Sequence, residues 1–329
     1  MRTRPYRALA TAAAVVLAAS LAACSEGASS SSSGSDYPNE TLEWTIAFGP
    51  GGGNDIMART MVDILESEEL YPEDIVVENL DGGSGAQGWG KVYSNAGSGY
   101  SISTTSGSFI TTPLQADTGW TYEDFTPVGL FANDDALFLV PGDSDIKTWD
   151  DWVAYAKANS PVAVGGIGVV NVDYILHALL AEQAGYEIKY VPYNEEGQVQ
   201  TSMLSGALDA MVSNPGSIVG QVDSGDMQPL LFTGAEPLPG YEDIPTAESL
   251  GFGDLPSMPR GLILPPDAPE EAQEFWIDTM KKVVETDEWQ QYLEDNYLVE
   301  DVRWGEDFQD YLGQTQDEFE KTLTEQGAL

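Results

Sequence analysis

The chain has 329 residues, of which 54 are acidic and 13 basic, giving a formal net charge of −41. So anionic an exterior repels phosphate backbones and anionic headgroups, which makes nucleic acid and acidic lipid surfaces poor partners. A single cysteine and a single histidine exclude an internal disulfide and a histidine-rich zinc site.

The chain opens on MRTRPYR, where Arg2, Arg4 and Arg7 precede the apolar and small run ALATAAAVVLAASLAA. This order reads as a secretory signal peptide over residues 1–23. The run falls short of the roughly 20 apolar residues a membrane-spanning helix needs. It ends in LAAC, which resembles the lipobox of bacterial lipoproteins and marks Cys24 as a lipidation site and new N-terminus. Residues 24–41, rich in Ser and Gly, have too little apolar area to pack and read as a flexible tether. Roughly 290 residues follow, enough for two cores of ordinary domain size.

From residue 42 onward, short apolar runs alternate with helical spacing. LEWTIAFG (42–49) reads as a buried strand, and NDIMARTMVDILES (54–67) as an amphipathic helix with Ile56, Met57, Met61, Ile64 and Leu65 on one face. IVVEN (75–79) reads as a second strand, Trp89 to Ala96 as a helix, and YSISTTSG (100–107) as a third strand. The same grammar restarts near Trp149: the helix DDWVAYAKAN, the strand VAVGG, the helix VDYILHALLAEQAG, the strand IKYVPY, a helix through MLSGA and the strand LDAMVSN. Alternation of this kind predicts open α/β sheets with crossover connections. A helical C-terminal stretch, EEAQEFWIDTMKKVVETDEWQQYLEDN, follows.

Two glycine turns carry the chemistry. FGPGGGNDIMAR (48–59) and GGIGVVNVDY (165–174) each place glycines between a strand and a helix, with Asn54 or Asp55 and Asn171 or Asp173 able to cap the helix that follows. Each reads either as a capped turn with no ligand or as a turn whose free N–H groups hold an anion. If the two face each other, helix starts from both halves supply donors and positive dipoles to a carboxylate. YNEEGQ (193–198) is a third such turn, where Glu195 and Glu196 suit an acid ligand only if they face solvent or receive a ligand amine.

Other motifs point away from chemistry. GSGAQG (83–88) matches the dinucleotide pattern after a strand, but the acid that should hold the ribose about 20 residues on is absent from SISTTSG. His177 lies mid-helix in DYILHALL, no GxSxG elbow occurs, and no Ca-loop spacing appears. The sequence therefore predicts no enzyme, no metal and no cofactor.

The blocks together resemble the tripartite tricarboxylate transporter receptors, the Bug-type extracytoplasmic solute-binding proteins. GGGNDIMAR resembles that family's GGxxDxxAR signature, with Asp55 and Arg59 in place. IVVENLDGGSGAQG, YEDFTPVGLF (122–131), WDDWVAYAKAN (149–159), YVPYNEEGQVQTSMLSGALDAMVSNPGSI (190–218), IPTAESLGF (244–252) and GLILPPDAP follow in the expected order. Two departures stand out: Asn194, Glu195 and Glu196 where relatives carry a Gly-rich turn, and LPPDAP without a glycine.

The resemblance implies a two-lobed Venus-flytrap fold of the periplasmic-binding-protein type II class. Lobe 1 then comprises residues 42–141 plus 257–329 and lobe 2 residues 142–256, with ALFLVPGDSD and RGLILPPDAP as the crossings. It implies a monomer that binds a small organic acid and passes it to integral permease subunits, one large and one small, while held at the membrane by its lipid. Its ligand contacts map to Gly52, Gly53, Asn54 and Asp55 in the first lobe and Gly168, Val169, Val170 and Asn171 in the second, with Ser106, Asn194 and Asn214 at the strand ends facing the cleft. The alternative is a ligand-sensing lipoprotein that presents its bound state to a signalling partner.

Overall fold

Parallel strands buried on both faces need continuous apolar or small residues, and the strand Ser101–Thr104 of the first sheet shows this most fully. In the computed structural model, which describes residues 37–329 apart from Asp254 and Gln326, β1 (Leu42–Ile46) buries Leu42, Trp44 and Ile46. It pairs in parallel with β2 (Ile75–Asn79) and with β3 (Ser101–Thr104), whose four residues are all buried. The expected signal peptide, the Cys24 lipidation site and the tether as far as residue 36 lie outside the described residues. The tether expectation fails at its far end: Asn39 N–H donates to Tyr100 Oη and Glu40 O accepts from Tyr71 Oη, so the chain is already docked there.

The rest of this sheet comes from distant sequence. β4 (Thr126–Asp134) lies between β10 (Met258–Leu264) and β11 (Val299–Trp304), antiparallel to both, and β10 joins it to β3. The order across the sheet is β11-β4-β10-β3-β1-β2. The second sheet, in order β7-β6-β8-β5-β9, is built from β5 (Leu137–Pro141), β6 (Val162–Ile167), β7 (Ile188–Tyr193), β8 (Ala210–Ser213) and β9 (Met227–Phe232). β6 runs parallel to β7 and β8, and β5 antiparallel to β8 and β9. Because β5 pairs within the second sheet, the outward crossing falls at Asp135 and Ala136, ahead of the boundary at residue 141 drawn from sequence. The return crossing falls between β9 and β10.

Helices cover the sheets. α1 (Gly53–Ser67) turns Met57, Ala58, Met61, Ile64 and Leu65 inward. There they meet Trp276, Met280 and Val283 of α8 (Glu270–Val284) and Trp289 of α9 (Asp287–Asp295) in one apolar cluster with Trp44 and Phe131. The C-terminal helical stretch is therefore two helices on the first sheet, broken where Thr286 caps α9 by accepting from Trp289 N–H. A second cluster packs Val199 and Met203 of α6 (Glu196–Leu204) and Ile218 of α7 (Pro215–Asp223) under the second sheet.

The third cluster joins the halves. It runs from Trp89 of α2 (Ala86–Ser94) and Phe109 of α3 (Gly107–Gln115) to Trp152 of α4 (Trp149–Ala158) and Leu176 of α5 (Val172–Ala184). α10 (Glu306–Glu325) packs against both α3 and α5, with Phe308, Leu312, Phe319 and Leu323 buried.

Candidate functional site

The ends of the parallel strands in each sheet open on a cavity of about 440 Å³. Ligands of open α/β sheets bind beyond the carboxyl ends of such strands. Five helices begin here: the lining includes Gly52, Gly53 and Asn54 at the start of α1, Ser106 before α3, Asn171 and Asp173 at α5, Glu195 and Glu196 at α6, and Asn214 before α7. Each helix start presents N–H groups without intrahelical partners and a positive dipole end.

The first turn is shaped by Asp55. Its Oδ2 accepts from Gly51 N–H at 2.9 Å, and its Oδ1 accepts from Arg59 Nε and Asn79 Nδ2, both at 2.9 Å. Burial works against the charge, but those bonds from Arg59, Gly51 and Asn79 hold the carboxyl below its ordinary range. Gly51 sits at φ 82°, a conformation that costs side-chain-bearing residues energy, so glycine is required for the turn. Asp55 thus faces away from the cavity and fixes the loop that forms its wall. Gly52, Gly53 and Asn54 do line it, and Asn54 Oδ1 accepts from Arg260 Nη1 at 3.3 Å.

The second turn departs from expectation. Gly168, Val169 and Val170 do not line the cavity. Gly168 N–H is taken by Tyr193 O at 2.9 Å, its positive φ of 74° bending the chain outward. Val169 is 61% exposed, and Val170 O accepts from Gln115 Nε2 of α3 at 2.9 Å. What reaches the cavity is the strand end Ile167 and the helix start: Asn171 Oδ1 caps α5 by accepting from Asp173 N–H at 2.7 Å, and Asp173 Oδ2 accepts from Ile167 N–H at 2.7 Å.

Ser106, Asn194 and Asn214 also line the cavity. Ser106 is 4% exposed and its Oγ has no hydrogen-bond partner among the described residues. Asn214 Nδ2 donates to Asp134 O and Asp135 O at 3.2 and 3.1 Å, pinning the outward crossing. His177, by contrast, is packed in the core beside Phe138 and Gly165 O, and burial pushes its pKa down to about 4.

Sequence reasoning missed the Arg260–Asp134 pair, and it singled out Glu196 without its partners. Arg260 of β10 is buried, lines the cavity and pairs with buried Asp134 through both Nε and Nη2. Burial pushes Asp134 upward while Arg260 pulls it back. Glu196 Oε1 accepts from Ser213 Oγ at 2.5 Å and Gln200 Nε2 at 3.3 Å. The signal for Arg260 was faint: an arginine inside the apolar run MPRGLIL, where a charge is tolerated only when paired.

Two open α/β sheets, two crossings and a polar cavity where helix starts from both halves meet define a two-lobed solute-binding protein of the periplasmic type. The chain belongs to the family described as "Tripartite tricarboxylate transporter family receptor", which it matches over residues 58–325. Among curated relatives, the "UPF0065 protein in gbd 5'region" of Cupriavidus necator is 24% identical over 259 residues, 78% of each chain. Among solved structures, the fold is similar to periplasmic binding protein BugD, with a TM-score of 0.81 at 20% identity over 88% of this chain and 99% of that one. It is also similar to MatC from Rhodopseudomonas palustris with bound malate, with a TM-score of 0.76 at 20% identity over 87% and 100%. A receptor of this family works outside the cytoplasm. Among the described residues no helix is long and apolar enough to cross a membrane.

Proposed function

We propose that this chain is an exported receptor, anchored through a lipid on Cys24, that captures a small carboxylate-bearing solute. In this reading the solute is a di- or tricarboxylate or an acidic amino acid, and the closed form hands it to the large and small integral subunits of a tripartite tricarboxylate-type transporter. The observation that carries the reading is the meeting of five helix starts from both halves on one cavity. A ligand that touches both halves only when they are closed shifts the open–closed equilibrium toward closure by its differential affinity. Each helix start contributes about 0.3–1 kcal/mol to a nearby anion, more where water is excluded. Malate in the MatC structure is consistent with this cargo class. Family membership supports receptor work rather than catalysis.

The direct test is calorimetric titration of the purified protein with citrate, malate, succinate, aspartate and glutamate. Saturable heat with at least one acid, lost on Asn54→Ala, is expected. Silence across the acids would sink the reading.

A further inference from the structure

The cavity holds more acid than a purely anionic cargo tolerates. Asp173, Glu195 and Glu196 line it, and Arg260, the one cation among the described lining residues, is already engaged by Asp134. Hydration explains an acid on the surface, but Asp173 and Asp134 are 9% and 5% exposed, where an unpaired charge is costly. Helix capping is the plain explanation to beat, since Asp173 and Glu196 sit in the first turns of α5 and α6. That position favours a carboxylate only modestly. It does not offset the burial. Desolvation pushes Asp173 up to about 7, with Glu196 and Asp134 adding to the rise and Ile167 N–H and Arg260 opposing it. Glu196 is likewise raised by burial against the bonds from Ser213 and Gln200. Asp173 Oδ1 and Glu196 Oε2 receive no hydrogen bond among the described residues.

The first-sheet side of the same cavity is the reverse. Ser106 Oγ is buried and unpartnered among the described residues. Gly53 and Asn54 lie in the first turn of α1, where N–H groups have no helical acceptor. Arg260 gives two of its five N–H groups to Asp134 and one to Asn54. The first-sheet wall therefore offers donors, and the second-sheet wall sets the carboxyl groups of Asp173 and Glu196 beside its own helix starts.

We infer that the solute carries a cationic nitrogen as well as a carboxylate, the carboxylate held by Ser106, Gly53, Asn54 and Arg260 and the cation held between Asp173 and Glu196. This rests on the solute-receptor reading and narrows its cargo to amine-bearing acids of the amino-acid type. A plain di- or tricarboxylate would turn its second negative charge toward those two carboxyl groups.

The test is calorimetric titration of the protein with carbon-matched probes: succinate against aspartate, glutarate against glutamate, propionate against alanine, and butyrate against 4-aminobutyrate. The amine-bearing member of at least one pair should bind tenfold or more tightly than its partner. Glu196→Gln, which keeps an acceptor for Ser213, should erase most of that preference. Between pH 6 and 8 the amine-bearing probe should tighten as Asp173 ionises beneath it. The groups facing Asp173 are Glu196 of α6, Arg260 of β10, Asp134 of β4 and Tyr190 of β7. Plain acids that bind as well as their amine partners, or a Glu196→Gln variant with unchanged preference, would overturn the inference and leave the receptor reading standing. Silence from both members of every pair, with citrate and malate silent as well, would overturn both.

Discussion

The Arg260 guanidinium closes on a single oxygen of Asp134, Nε and Nη2 both donating to Oδ2, while Asp134 Oδ1 is buried without a partner among the described residues. The pair joins β10 to β4 directly beneath the cavity, so removing one member strands the other. Arg260→Leu should cost about 3–5 kcal/mol in urea denaturation, the usual result of orphaning a buried charge. The double variant Arg260→Leu with Asp134→Leu should recover most of that loss. A double variant as unstable as the single one would show that packing, not charge, is at stake.

Gly53 packs against the same guanidinium so closely that a methyl group there would collide with it. Gly53→Ala should therefore displace Arg260, lower stability by about 1–3 kcal/mol and weaken ligand binding. Gly220 in α7 has open space around the same position, and Gly220→Ala should instead stabilise by about 0.5–1 kcal/mol. Thermal denaturation of the two variants side by side reads the contrast.

Asp173 and His177, one turn apart on α5, should give opposite slopes of stability with pH. Asp173 is raised by burial to about 7, so from pH 7 down to about 4 the folded state keeps a proton that the unfolded chain binds only weakly, and acid favours folding. His177 is lowered by burial to about 4, so from pH 6.5 downward the unfolded chain gains a proton the folded state refuses, and acid opposes folding. Each slope is at most about 1.4 kcal/mol per pH unit. Asp173→Asn removes the first alone. Relative to the parent, it should be more stable above pH 7 and lose that advantage progressively toward pH 4, as read from urea midpoints. A pH-independent difference between variant and parent would contradict the assignment.

Asp55 is the reverse case, a carboxyl held low by its partners after burial has acted against it. Its contribution is present above its unfolded pKa of about 3.9 and should disappear as pH falls through the folded value. Asp55→Ala removes the acceptor for Gly51 N–H, Arg59 and Asn79. A loss of about 1–3 kcal/mol is expected, together with weaker ligand binding, because the α1 turn loses its brace. Amide exchange at Gly51 would report the loosening directly.

Local pattern carried the alternating elements well: IKYVPY is β7 to the residue, and the α1 stripe was legible from Met57 to Leu65. Both glycine turns were legible as strand-to-helix turns. Which atoms of the second turn reach the cavity was not, because that depends on Gly168 N–H being taken by Tyr193, a partner 25 residues away in sequence. β5 was assigned to the wrong side of the crossing because an apolar run does not say which sheet it will join. α3 escaped notice since GSFITTPLQ is mostly small and β-branched with Pro113 inside it, a poor helix former by propensity that is held by burial of Phe109 and Ile110. Glu195 and Glu196 were legible as awkward neighbours for an acid ligand and Asp173 as a helix cap, but the burial of Asp173 was not, since sequence does not separate a hydrated carboxylate from one that folding has buried.

β4 draws both of its neighbours from residues beyond 257, since β10 and β11 flank it on either side. During synthesis or refolding this strand must wait, with two bare edges, until the last quarter of the chain has arrived. Such late, long-range pairing is slow and leaves aggregation-prone edges in the interim. A chain cut before β10 would not yield a smaller working lobe but an open half-sheet seeking partners, so the carboxyl-terminal quarter serves as the clasp that completes the first half rather than as an appendage to the second.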